Sequence, residues 1–388
     1  MLNITARTVS EALHNGLHAI RVHGIPKPSR VGDVLVMPRP VMTEYLNPTN
    51  RVLFSPMRDA NPFFHVMEAL WMLAGRNDLP WLTRFNKRFE SYSDDGGKTQ
   101  PGAYGYRWRN YFGHDQLKDA ILELRQNPDS RRVVLAMWDG GSRYDWLKPQ
   151  FEDNTDDGQA NYTTMEQPGD SYAAQMGSAD VPCNTHVYFD TIDGRLNMTV
   201  CCRSNDIIWG AYGANAVHFS FLLEFMALAV GIPVGVYRQF SNNFHLYTNV
   251  VPVEQLMPLA RDVEQSDKYL MRETQASMIK VPVRPLLRQV SLMQTDQDTF
   301  ERELADFMQE DPATHTAPYD EPFFRDVAWP MLHAHKHYRK KEYEAAIDEA
   351  LNIKADDWRI ACVEWLQRRK IKHEQNSKRF EEVAHVDQ

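Results

Sequence analysis

The sequence predicts a mixed α/β core followed by an all-helical appendage, and three observations carry that reading. Short apolar, β-branched runs at Arg132–Trp138, Thr185–Asp190 and Arg195–Cys202 have the length and composition of buried strands. Ala216–Val230 is apolar nearly all round, which is the pattern of a helix buried on every side. Beyond Asp296 the apolar residues recur at helical spacing to the end of the chain. At 388 residues the chain exceeds the size, about 250–300 residues, at which single hydrophobic cores stop growing, so an accessory unit is expected.

Taken in order, Asn61–Gly75 carries Phe64, Met67, Leu70, Trp71 and Leu73 at helical spacing, with Gly75 as a C-cap. Arg132–Trp138 is the first strand of the core. Residues 139–180 are rich in Gly, Asp, Gln and Ser without periodicity and read as a long, partly mobile surface insertion. Ile192-Asp193-Gly194 then turns one strand into the next. In the appendage, Phe300, Leu304 and Phe307 make one stripe. Tyr343, Ala346, Ile347 and Ala350 make a second, and Trp358, Ile360, Ala361 and Leu366 a third. The tail Lys370–Gln388 is charged and expected to fray. The organisation is therefore a core domain over 1–290, with the 139–180 insertion, and a helical extension over 291–388.

Composition narrows the function classes. Hydrophobic residues make up 43% and charged residues 24%, ordinary for a globular chain. The most apolar stretch, Phe221–Tyr237, is interrupted by Glu224 and Pro233, short of the roughly 20 apolar residues a membrane span needs. The N-terminus mixes Glu11, His14 and His18 into its apolar positions, unlike a signal peptide. Four cysteines (Cys183, Cys201, Cys202, Cys362) show neither metal-cage nor disulfide spacing, so no metal and a reducing, cytoplasmic setting are expected. A net charge of −9 argues against nucleic acid as a partner, while a few local arginines can still hold one phosphate.

The chemistry-bearing block is Val181–Asn249, with VPCN (181–184), CRSND (202–206), GANAVHFS (213–220) and NNFHLYTN (242–249). Here the chain resembles the thymidylate synthase family, which includes the pyrimidine nucleotide hydroxymethylases. The family pattern is a Pro-Cys nucleophile, an Arg-Ser-x-Asp motif, an Asn opening the next helix, and a His-x-Tyr pair. Arg203 follows Cys183 by 20 positions and His245 follows Asn215 by 30, as the pattern requires. One extra residue stands between Asp206 and Asn215. Upstream, PDSRRVVLAMW (128–138) resembles the segment with two adjacent phosphate arginines, Arg131 and Arg132. GAYGYRW (102–108) resembles the Tyr-Gly-x-x-Trp loop, with Tyr104, and MEALWMLAG (67–75) the helix with an acid/base glutamate, Glu68. Arg30 in SRVGD stands where another phosphate arginine belongs.

The resemblance implies a thymidylate-synthase-like mixed sheet flanked by helices, and covalent chemistry on a pyrimidine 5′-monophosphate. C5 of a pyrimidine is a poor nucleophile. A thiolate added at C6 pushes electron density to C5, which can then attack a one-carbon electrophile. A thiol with a reference pKa of ~8.5 needs a nearby cation to ionise at neutral pH, and the resemblance implies that Arg203 stands close enough to supply it. Cys183, Glu68, Tyr104, Asp206 and Asn215 form the implied catalytic group. Arg30, Arg131, Arg132, Arg203 and Ser204 would clamp the phosphate, Asn215 the base, and His245 and Tyr247 the sugar hydroxyl. The implied cofactor is 5,10-methylenetetrahydrofolate, and the implied assembly an obligate homodimer with Arg131 and Arg132 acting across the interface.

Departures from the methylating pattern concern whatever keeps the folate stacked and the site dry. The His after the nucleophile is Asn184, and the Gln before Arg-Ser is Cys202. Expected tryptophans fall at or beside Phe89-Glu90 and Ser93, and the short apolar C-terminal seal is replaced by the appendage, ending AHVDQ. These favour water as the final nucleophile. Asn215 suits uracil, so dUMP hydroxymethylation is the expectation. The alternatives are dCMP hydroxymethylation, which Asn184 and Asn205 leave open, and thymidylate synthesis. A nucleotide-binding module without turnover would not need an activated thiol. A Cys183–His186 hydrolase lacks an orienting third group. Trp71 and Trp138 read as core residues, and Arg339-Lys340-Lys341 as a solvated helix face.

Overall fold

The computed structural model describes residues 1–140, 170–175, 177–270, 287–309 and 319–386, with side chains up to residue 377 except those of Tyr172 and Gln175. In chain order the strands are β1 (Leu2–Ala6), β2 (Ile25–Ser29), β3 (Gly32–Val36), β4 (Val41–Tyr45), β5 (Val134–Ala136), β6 (Asn184–Ile192), β7 (Arg195–Cys202), β8 (Asn205–Asp206), β9 (Val234–Ser241) and β10 (Phe244–Tyr247). The longer helices are α1 (Val9–His23), α2 (Pro62–Leu73), α3 (Gln116–Gln126), α4 (Asn215–Val230), α5 (Leu256–Gln265), α6 (Gln297–Gln309), α7 (Trp329–Arg339), α8 (Tyr343–Leu351) and α9 (Asp356–Val386). A six-stranded mixed sheet runs β1-β4-β9-β7-β6-β5, and a four-stranded one runs β2-β3-β10-β8. This is the fold class the sequence predicts.

Local chemistry explains the central elements. Asn61 caps α2 by accepting from the Phe64 N–H at 3.2 Å, and Pro62 sits in the first turn, where its missing donor does no harm. Every residue of α2 is buried, Glu68 included. Asp193 (φ 52°) and Gly194 (φ 69°) turn β6 into β7 with both residues left-handed, the conformation that a two-residue hairpin favours. In β9, Tyr237, Gln239 and Ser241 are buried while Val236, Arg238 and Phe240 are partly exposed, so one sheet face is packed and the other reaches the surface.

The packed face meets α4, whose helical run begins at Ile207, is interrupted at Tyr212–Gly213, and stops at Gly231 (φ 86°). Ile207–Val230 is long and apolar enough to cross a membrane, which the reading of Phe221–Tyr237 did not anticipate, but it is 83% buried within the fold as its core helix. The appendage continues that core: Phe300 packs on Phe225 (centroids 5.6 Å), Trp358 on Phe221 (6.3 Å) and Trp365 on Phe63 (5.7 Å). Arg51 and Glu224 form a buried ion pair at 2.5 Å, and Glu224 also accepts the Leu292 N–H at 2.9 Å.

Several expectations need correcting. The strand expected over Arg132–Trp138 covers only Val134–Ala136. The expected frayed tail is the second half of α9, helical to Val386. Arg339-Lys340-Lys341 is no helix face: Arg339 ends α7, and Lys341 (φ 65°) makes the turn into α8. Residues 141–169 of the insertion lie outside the described residues. Its end is not loose surface, since Asp170 is buried and bonds the Arg107 guanidinium at 2.7 and 2.8 Å.

Candidate active site

Cys183 directly precedes β6 and is half-buried. The backbone N–H of Arg203, just past the end of β7, donates to its carbonyl at 2.9 Å. The Arg203 guanidinium donates to the carbonyls of Pro182 (2.9 Å) and Val181 (3.0 Å) and lies 5.3 Å from the Trp138 ring. Trp138 is therefore a wall of the site and only partly buried, not the core residue the sequence suggested. Burial pushes the Cys183 thiol up, Arg203 pulls it down, and Asp180 and Asp206 push it up again. Arg203 acts in the expected direction, but burial outweighs it, so the resting group is a thiol.

Behind the cysteine lies a chain of amides. Asn184 donates to Asn215 Oδ1 at 3.5 Å, Asn215 to Asn205 Oδ1 at 3.2 Å, and Asn205 to Gln239 (3.0 Å) and Ser241 (2.9 Å). The Cys202 thiol donates to Asn184 Oδ1 at 2.5 Å. The extra residue before Asn215 is absorbed by a π-helical turn at Ile207–Ala214, with non-helical angles at Tyr212 and Gly213, so Asn215 still reaches its neighbours. Gly210 is required there, because a Cβ would stand 2.6 Å from Asn205 Oδ1. Tyr104 bonds Asn184, and burial drives its hydroxyl pKa far up.

Glu68 of α2 faces His218 of α4, with Oε2 and Nε2 2.9 Å apart. Both atoms are buried, and neither has hydrogen-bond geometry to a partner among the described residues. His65, one turn before Glu68, is pushed down to about 3 by burial, Arg58 and His218, and is neutral. Arg58 donates to the Ile208 carbonyl at 2.7 Å, at the start of the π-helical turn. Its neighbour Asp59 has left-handed backbone (φ 47°) and bonds Arg368 (3.2 Å) and Arg369 (2.7 Å) of α9.

The other end of the site is open. Arg30 is exposed at the turn between β2 and β3 and acts electrostatically on Tyr247 of β10. His245 and Tyr247 stand with centroids 5.1 Å apart, and His245 pairs in register with Asp206. Asp206 caps the following helix through the Trp209 N–H at 2.5 Å; burial raises its carboxyl, and its Oδ1 has no hydrogen-bond partner among the described residues. Ser204 is partly buried beside them. Arg131 and Arg132 precede β5, exposed and without a carboxylate partner among the described residues. His186 stacks on Tyr188 (6.1 Å), a partly exposed imidazole packed on a ring rather than set against a third polar group, as a hydrolase would need.

The sequence reading missed His218, His65, Arg58 and Asp180. His218 had a signal: it follows Asn215 by three positions, hence on the same helix face. Asp180 had none, lying at the end of the insertion, yet its carboxylate accepts the Gly102 N–H at 3.0 Å next to the Tyr104 loop. Phe89, near where the family pattern has tryptophans, forms an aromatic corner with Phe64 on one side (5.0 Å) and Tyr92 on the other (5.5 Å).

A mixed sheet presenting a cysteine beside an arginine, with a buried carboxylate on the helix packed against the core helix, is the arrangement of a one-carbon transferase of the thymidylate synthase type. The thymidylate synthase family model matches residues 56–311, and the chain belongs to that family. It is 42% identical to a deoxyuridylate hydroxymethyltransferase of Pseudomonas phage M6 over 96% of this chain and 95% of that one. It is 30% identical to the deoxyuridylate hydroxymethyltransferase of Delftia phage PhiW-14 over 75% and 78% of the two chains. A thymidylate synthase of Symbiobacterium thermophilum is 28% identical over 55% of this chain and 73% of its own.

Proposed function

We propose that the protein hydroxymethylates dUMP at C5 through a covalent Cys183 adduct at C6. The observation that carries the choice of base is the amide chain. Asn215 is held as an amide by Asn184 and Asn205, able to donate to O4 and accept from N3–H of uracil. The names of the relatives at 42% and 30% identity support the same substrate and product.

Arg30, Arg131, Arg132, Arg203 and Ser204 bind the phosphate, and Arg203 also lends positive charge at the thiol; His245 and Tyr247 hold the sugar hydroxyl. Cys183 sulfur bonds to C6 as its S–H bond breaks and the proton passes to solvent water, and the C5–C6 π pair moves toward C5 and O4. The methylene donor fits here: the half-exposed indole of Trp209 lies between Arg58 (5.0 Å) and Arg88 (5.9 Å), suited to an aromatic ring with a carboxylate tail, beside the unpartnered oxygen of Asp206. Asp206, Trp209 and Arg88 would hold 5,10-methylenetetrahydrofolate, which supplies a one-carbon unit at the oxidation level of formaldehyde. After C5 loses its proton and gains an exocyclic methylene, water adds to that carbon. Glu68 takes the water proton, the π pair returns through C4–O, and elimination breaks the C6–S bond to free Cys183.

The assembly we propose is a homodimer through the partly exposed face of the large sheet. Val134 and Tyr188 are exposed there opposite each other in register, Phe240 and Cys201 are half-buried, and Arg131 and Arg132 flank that edge. A reducing cytoplasm suits its four free thiols. Incubation with dUMP or dCMP and labelled methylenetetrahydrofolate tests the activity by product mass. The expected product is dUMP plus one CH₂O unit. Formation of dTMP, or reaction of dCMP in preference, would overturn the reading.

A further inference from the structure

We propose that His218 is a positioning residue for water addition: it fixes the Glu68 carboxylate in the direction from which Glu68 takes the proton of the attacking water. The inference rests on the hydroxymethylation reading. Four observations lead to it. Glu68 Oε2 and His218 Nε2 are 2.9 Å apart, both buried and without a hydrogen-bond partner among the described residues. Buried polar atoms without partners are uncommon in folded proteins, and a facing pair of them calls for an explanation. His218 shares a helix face with Asn215, three residues earlier, and Asn215 is bonded to Asn184, the neighbour of Cys183, so the pair lies on the helix face that serves the amide chain. The imidazole that the family pattern puts directly after the nucleophile is an amide here, Asn184, and α4 brings an imidazole to Glu68 from another direction.

A carboxylate sealed among apolar residues loses its hydration, and a donor at fixed distance both offsets that loss and limits rotation about its last torsion. His65 is a separate case: burial above all, with Arg58 beside it, pushes its imidazole down to about 3. In the step, a water O–H bond breaks toward Glu68, a C–O bond forms at the exocyclic methylene, and the methylene π pair moves onto O4. His218 bonds to no substrate atom; it determines where Glu68 points.

The test compares wild type with His218→Gln and His218→Asn in the full chain. Calorimetry with dUMP checks the fold and the binding site; tritium release from 5-tritiated dUMP reports loss of the C5 proton, and mass spectrometry reports hydroxymethyl product. Expected are a dUMP Kd within about twofold of wild type, tritium release within about threefold, and product formation down about tenfold or more, as for loss of well-placed general base catalysis. Product formation that is unchanged, or that falls in step with tritium release, overturns the proposal. A wild type that yields no hydroxymethyl product overturns the functional reading as well, so the two failures are distinguishable. Independently of these variants, nitrogen NMR of histidine-labelled protein should show one imidazole shifting on Glu68→Gln; no shift overturns the contact.

Discussion

The two ends of the nucleotide site are built on opposite principles. Around the base, Asn184, Asn205 and Asn215 are buried and bonded to one another, and Glu68 faces His218 at 2.9 Å. Where we propose the phosphate binds, Arg30, Arg131 and Arg132 stand exposed, with no carboxylate to hold them among the described residues. Selectivity among bases requires donors and acceptors fixed before the ligand arrives, because an amide that can swing reads nothing. Charge needs less precision: a mobile guanidinium retains most of its attraction for a phosphate and takes its fork geometry on contact.

That contrast can be broken from either side. The largest effect is expected at the base end: Cys183→Ala should reduce product to background while dUMP still binds, measured by turnover and calorimetry. Unimpaired turnover would remove the adduct and with it the reason for the buried half. Asn215→Asp should shift preference from dUMP toward dCMP by about tenfold to a hundredfold in kcat/KM, as expected when a buried hydrogen-bonding group is left mismatched at ~1–3 kcal/mol. At the phosphate end, Arg131→Ala with Arg132→Ala should act mainly on KM, about tenfold or more for lost charge-assisted bonds worth ~1.5–3 kcal/mol each. Mixing that double variant with Cys183→Ala under exchange conditions should restore activity, because a hybrid dimer regains one intact site. No restoration would place those arginines in their own subunit's site.

The smallest effect concerns pH. His65 and His335 are each pushed down to about 3 by burial, from an ordinary value of 6.5. The unfolded chain therefore binds more protons than the folded one between those values. The contribution of these two residues to stability is fully present above pH 6.5 and is lost as pH falls toward 3. Thermal midpoints measured across that window should show a shallower slope in His335→Gln than in the parent.

Much of this was legible in the sequence wherever the signal is local. The Asn61 cap, the Asp193-Gly194 turn and the apolar run of α4 each declare themselves within a few residues. The motifs around Cys183, Arg203, Asn215 and His245 were readable because their separations are fixed by strands that run side by side. The rest depended on distant partners. Trp138 looked like any buried tryptophan until Arg203 lay against it. Lys370 onward looked like a charged tail, although α9 runs on through it and Lys370 pairs with Glu344 of α8. Nothing local says that an added residue before Asn215 will be taken up as a π-helical turn rather than by rotating the helix.

Asp59 holds a left-handed backbone that an L-residue with a side chain seldom keeps unaided, and its two anchors, Arg368 and Arg369, come from 309 and 310 positions further along. The loop secured in this way delivers Arg58 to the Ile208 carbonyl, at the start of the π-helical turn that leads into Asn215. The closing helix thus serves as a strap across the loop that carries Arg58, and trimming the chain before Arg368 should slacken the fit we propose for uracil, read as a weaker Kd for dUMP.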